Sequence, residues 1–78
     1  MKIGVIERFM VIPLPIDVFK AHIRELWTLH SNGVLREAYK FEDNAGSIFI
    51  VETVTLNEAK DIMARLPLVL VSLFSFRN

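Results

Sequence analysis

From Leu66 to Phe76 the chain is apolar at nearly every position. As an extended strand it is apolar on both faces, with Leu68, Leu70, Phe74 and Phe76 alternating with Val69, Val71 and Leu73. A sheet face that meets water carries a polar residue at every second position, so a strand of this kind belongs to a sheet covered on both sides. The run is not a membrane span: Pro67 and Ser72 interrupt it, Arg77 ends it, and it falls short of the roughly 18 residues a spanning helix needs. The amino terminus does not read as a secretory leader either, because Glu7 and Arg8 break its apolar region and no small-residue cleavage site follows. With 78 residues, 53% of them hydrophobic, and a mean hydropathy of +0.41, one small core leaves much apolar surface over. Self-association is the expected outlet, in a cytoplasmic homodimer or larger homo-oligomer.

Charge and cysteine content narrow the function classes. Nine basic and nine acidic residues give a net charge of zero, which excludes the broad basic footprint of a nucleic-acid binder. There is no cysteine, hence no disulfide scaffold and no thiolate metal site. The two histidines, His22 and His30, stand eight positions apart without a third ligand at a recognised spacing, so no metal site is expected.

No linker, repeat or low-complexity stretch divides residues 1–78, which read as one domain. Ile3 to Ile12 is rich in β-branched and aromatic residues and is closed by Pro13 and Pro15, predicting a first strand. Helical spacing follows from Ile16 to about His30, with Ile16, Phe19, Ile23, Leu26 and Trp27 on one side and Asp17, Lys20, Arg24 and Thr28 on the other. Ser31-Asn32-Gly33 supplies a stop suited to the left-handed conformation. Val34 to Glu42 and Ser47 to Val54 read as a hairpin around the turn Asp43-Asn44-Ala45-Gly46. Thr55 and Glu58 have capping-box spacing and start a second helix to about Leu66, whose inner stripe is Leu56, Ala59, Ile62, Met63 and Leu66. Pro67 ends it, and Leu68 to Arg77 is the last strand. The order β-α-β-β-α-β predicts an α+β, ferredoxin-like fold, a four-stranded antiparallel sheet with both helices on one face. A second sheet packed on the bare face gives a dimeric α+β barrel.

The segments Gly33-Val34-Leu35-Arg36-Glu37 and Ala64-Arg65-Leu66-Pro67-Leu68 give the chain a resemblance to the muconolactone isomerase family of the dimeric α+β barrel superfamily. It rests on a glycine closing the first helix, a strand hairpin, an acidic second helix and Leu-Pro-Leu leading into the last strand, over roughly residues 15 to 77. The resemblance implies a protein without a cofactor that shifts a proton beside the carbonyl of a small lactone or carbonyl acid. Where that family carries tryptophan and histidine after the glycine, this chain reads Val34-Leu35-Arg36-Glu37-Ala38-Tyr39, and the implied substrate is left open accordingly.

Candidate site residues follow from chemistry and register. His22 lies beside Val18 and Leu26 on the first helix, and a histidine facing a sheet is a candidate general base. His30, in the last helical turn, instead suits the helix dipole. If the turn sets Glu42 opposite Ser47, Glu37 falls across from Glu52 and Tyr39 across from Ile50. Opposed carboxylates are unfavourable unless a cation intervenes or one takes a proton, and a protonated carboxyl beside an ionised one can shuttle a proton. The alternatives are a structural network in which Arg8 or Arg36 neutralises them, or a register slip that separates them. Tyr39 is the candidate donor to an enolate oxygen, and Arg36 and Arg8 are the candidate cations for a substrate carboxylate. Trp27, Phe41, Phe74 and Phe76 read as core and dimer interface. Two functions follow: a cofactor-free isomerase acting on a small organic acid or lactone, or a non-catalytic ligand-binding or oligomeric assembly module on the same barrel. A pocket where Glu37, Glu52, Tyr39 or His22 converge distinguishes the first from the second.

Overall fold

Alternation of Ile3 and Val5 with Gly4 and Ile6 builds β1 (Lys2–Phe9), whose inward positions Ile3, Val5 and Glu7 are buried. The computed structural model describes residues 1–10 and 14–77. After β1 come α1 (Ile16–Ser31), β2 (Leu35–Lys40), β3 (Gly46–Glu52), α2 (Leu56–Ala64), a single 3-10 turn (Val69–Val71) and β4 (Ser72–Arg77). The strands form one antiparallel sheet in the order β2-β3-β1-β4. This is the ferredoxin-like β-α-β-β-α-β topology expected from the sequence. Ile3 and Val5 of β1 and Phe49 and Val51 of β3 meet Leu26 of α1 and Ala59 and Met63 of α2 in one core, so both helices cover the same face.

Local chemistry explains where the helices stop and start. At the end of α1 the Val34 N–H donates to the Leu29 carbonyl at 3.0 Å and the Gly33 N–H to that of His30 at 3.1 Å. Gly33 holds φ +79 there, the left-handed cap that only glycine adopts without cost. The Thr55 hydroxyl caps α2 by accepting the Glu58 N–H at 3.1 Å, an arrangement that contributes about 1 kcal/mol. Ala59 and Met63 of its predicted stripe are fully buried, with Leu66 just beyond the helix.

Several boundaries differ from expectation, each for a structural reason. β1 ends at Phe9, while Ile12 and Pro13, expected to close it, lie outside the described residues. The stretch expected to open the last strand turns instead: the Val69 N–H donates to the Leu66 carbonyl at 3.1 Å and that of Val71 to Leu68 at 3.0 Å. Pro67 favours this turn, so β4 begins only at Ser72. The predicted phase of α1 is also corrected. Its buried residues are His22 and Leu26, whereas Ile16 and Ile23 are exposed and Trp27 is 69% exposed, its ring stacked on His30 at 5.4 Å. Rotating α1 in this way aims His22 at the sheet.

The hairpin is the largest correction. Lys40 pairs with Ser47 and Tyr39 with Ile48, so Glu37 lies opposite Ile50 and not Glu52. The connection spans residues 41–45 and is longer than the four-residue turn expected, which slips the register by two. Asp43 Oδ1 accepts the Ala45 N–H at 2.9 Å, and Asn44 takes φ +57 between them, a conformation asparagine tolerates. A bulge between Leu35 and Glu37 shifts the far end of β2 once more. Gly46 opens β3 pressed so closely on β1 that a Cβ would collide with the Glu7 carbonyl oxygen.

The face of the sheet away from the helices carries rows set by this register: Tyr39, Ile48, Ile6 and Ser75 in one, Glu37, Ile50, Gly4 and Arg77 in the next. Leu73 adds to its apolar surface at 61% exposure. Among the described residues no helix is long and apolar enough to cross a membrane.

Candidate functional site

The alternation Ile3, Val5, Glu7, Phe9 puts a carboxylate at an inward position of β1, one of the two central strands. Glu7 is 0% exposed and His22, from α1, 1% exposed. A buried carboxyl requires donors inside the protein, and Glu7 has two. His22 Nε2 lies 3.1 Å from Glu7 Oε1, and the Ser72 hydroxyl at the start of β4 donates to Oε2 at 2.9 Å. The Leu68 N–H, from the turn before β4, donates to His22 Nδ1 at 3.3 Å. With Nδ1 acting as an acceptor, the ring proton belongs on Nε2, where it donates to Glu7. Among the described residues every buried side-chain nitrogen and oxygen has a partner.

This network borders a cavity of about 450 Å³ between α1 and the sheet, within the range of small-molecule sites. Its walls are mostly apolar, with Phe9 and Phe49 from the sheet and Leu14, Phe19, Ile23 and Leu26 from α1 and the chain leading into it. Lys40, Asn44 and Ser47 supply polar lining from the β2–β3 hairpin, and Tyr39 also borders it. Glu7 and His22 form a wall of the cavity while almost wholly shielded from bulk water. The arrangement offers a largely apolar space with one carboxyl group on its wall and one ammonium group among its lining. Among the described residues no cluster of three or more histidine, cysteine, aspartate or glutamate side chains could hold a metal ion.

The residues singled out from the sequence are dispersed. His22 reaches the cavity. Glu37 and Tyr39 meet each other on the helix-free face, where the Tyr39 hydroxyl donates to the Glu37 carboxylate. That hydrogen bond, and then the negative charge of Glu37, hold the phenol above its ordinary value of 10.0. Glu52 shares this face but pairs with the Met1 ammonium at 2.8 Å, whose hydrogen bond holds its carboxyl below the usual carboxylate range. Arg8 contacts Asp43 at 3.3 Å and stacks over Phe41 at 4.2 Å. The Ala45 N–H, followed by Arg8, lowers the Asp43 carboxyl below its ordinary value. Arg36 is exposed at the β2 bulge. Glu37 and Glu52 therefore form no opposed pair, and neither lines the cavity. The carboxyl that does, Glu7, was signalled in the sequence only as a charge interrupting the inward alternation of a β-branched strand.

Three solved structures share this architecture. Muconolactone isomerase superposes over 100% of this chain and 86% of its own, with a TM-score of 0.87 at 13% identity. The 5-chloro-2-hydroxyhydroquinone dehydrochlorinase of Burkholderia phenoliruptrix AC1100, in complex with 2,5-dihydroxybenzoquinone, covers 97% of this chain and 91% of its own, with a TM-score of 0.73 at 16% identity. A hypothetical protein from Pyrococcus horikoshii covers 100% of this chain and 90% of its own, with a TM-score of 0.58 at 16% identity. No protein-family model matches the sequence, and no curated protein matches it either. The chain has the muconolactone isomerase-like fold.

Tyr39 is the sole tyrosine, so its phenolate absorbance reports one site. The titration midpoint is expected above 10.0, and Glu37→Gln should lower it. Because the folded value is raised, the contact stabilises fully below the ordinary tyrosine range and is lost as pH rises through the folded value. An unchanged midpoint in Glu37→Gln would contradict the contact.

Proposed function

Starting from a fold shared with muconolactone isomerase, we propose that this protein binds a small carbonyl acid or lactone between α1 and the sheet and shifts a proton on it. The observation that carries this reading is Glu7, a fully buried carboxyl held by two donors on the wall of a largely apolar cavity. A base shielded from water and positioned before the substrate arrives needs little reorganisation in the transition state. In the proposed step the C–H bond beside the carbonyl breaks and Glu7 takes the proton. The electron pair moves into the carbonyl to leave an enolate. Glu7 then returns the proton to the conjugated carbon, so no oxidant or reductant is consumed. Lys40, at the cavity's edge, is suited to the substrate's carboxylate. The two named structural neighbours support the substrate class, since one isomerises a lactone and the other was captured with a ring diketone.

One observation favours a second reading, a binding module without chemistry. Glu7 and His22 are both buried with their hydrogen bonds satisfied, as a purely structural network would be. The two readings separate on Glu7→Gln, which keeps the side chain's shape and removes its basicity. With muconolactone in D2O, the wild type is expected to exchange the proton beside the carbonyl, and Glu7→Gln to lose exchange by at least about 10²-fold while still binding. Undiminished exchange in Glu7→Gln would overturn the first reading.

We also propose that a second copy of the chain covers the helix-free face. Ile6, Ile48 and Ile50 lie half-buried at its centre with Leu73 and Tyr39 exposed beside them, a contiguous apolar cluster of the kind that marks an interaction surface. The wild type should sediment as a dimer or larger species at micromolar concentration and Ile48→Lys as a monomer. A monomeric wild type would contradict the pairing.

A further inference from the structure

His22 is the residue that chemistry by residue type nominates as the base, yet its surroundings leave it nothing to accept a proton with. Its Nδ1 is occupied by the Leu68 N–H at 3.3 Å, and its Nε2 faces Glu7 Oε1 at 3.1 Å. An imidazole accepting at Nδ1 carries its proton on Nε2, so both nitrogens are committed. Glu7 differs. Each of its oxygens receives one donor, from His22 and from Ser72, and an ionised carboxylate has about four acceptor sites. Two are left without a donor among the described residues.

We infer that Glu7 alone carries the proton and that His22 and Ser72 are positioning residues. His22 is locked in the Nε2–H tautomer by the backbone of the turn after α2. The inference rests on the proton-transfer reading above and adds to it a division of labour. Leu68 is itself buried, and the Val71 N–H donates to its carbonyl at 3.0 Å, so the turn presents the Leu68 N–H from a fixed frame. The donor from α1 and the hydroxyl from β4 then reach the carboxyl from two different elements and fix its plane against the cavity.

The test compares three variants. His22→Leu removes the donor and is expected to lower turnover on muconolactone on the order of 10²-fold, with little change in KM. His22→Gln restores an amide N–H for Glu7 and a carbonyl acceptor for the Leu68 N–H, with no basic nitrogen, and should recover most of that loss. Ser72→Ala should lower turnover by less, again at nearly constant KM. Equal losses in His22→Leu and His22→Gln would make the imidazole the base and overturn the inference. A readout independent of turnover is the nitrogen NMR spectrum of protein labelled in its two histidines, with His30→Gln used for assignment. His22 should show a protonated Nε2 and a bare Nδ1, and a proton on Nδ1 would overturn the inference. If the wild type exchanges no substrate proton, the proton-transfer reading falls by itself, while the tautomer still decides whether the turn orients His22.

Discussion

A carboxylate in a protein core has to be supplied with donors by whatever packs around it, and Glu7 imposes that requirement on most of this molecule. Leaving such a group unpaired costs several kcal/mol, roughly 3–5 where one partner of a buried pair is removed. The donors come from His22 on α1 and Ser72 on β4, and His22 is held in turn by Leu68. One polar network thus ties a central strand to a helix, to the turn after α2 and to an edge strand. The phase of α1 follows from it. Ile16, Ile23 and Trp27 have the spacing of an inner stripe, yet the helix presents His22 and Leu26 inward and leaves Trp27 in water.

The same constraint shapes the cavity. The helix approaches the sheet through His22 and Leu26 and not through Ile23 and Trp27, and the space left between α1 and the hairpin is bounded by Phe9, Phe19 and Phe49. Gly46 brings β3 against the Glu7 backbone where no side chain could fit, and the connection after β2 then carries Asn44 to the cavity's edge. A chain of small structural necessities, a glycine contact, an Asx turn and a pinned tautomer, places one shielded carboxyl beside an apolar space.

Much of the fold was legible in the sequence, because it is written in local signals. The Thr55 cap, the Gly33 stop and the inner stripe of α2 each depend on residues within a turn of one another. The hairpin register was not legible, since a turn signal at residues 43–46 fits both a four-residue and a longer connection, and the bulge at Arg36 has no composition cue. The opposed Glu37 and Glu52 pair rested on that register and dissolved with it. His22 was visible as a histidine near an inner face. Glu7 stands in the sequence as a break in an apolar amino terminus, although its place after Ile3 and Val5 puts it on the buried face. The partners that give Glu7 meaning lie 15 and 65 positions away, a separation no local pattern spans.

The claim that the Glu7–His22 contact organises the core is tested most directly by a double-mutant cycle in urea, comparing Glu7→Leu, His22→Leu and the double variant. Each single change strands the other side chain, while the double change makes both apolar; the Ser72 hydroxyl and the Leu68 N–H lose their acceptors in the singles as in the double, so that cost cancels from the coupling. A coupling of at least about 2 kcal/mol is expected, with the double variant more stable than at least one of the singles. Losses that simply add would mean that the two side chains are accommodated independently, and would contradict it.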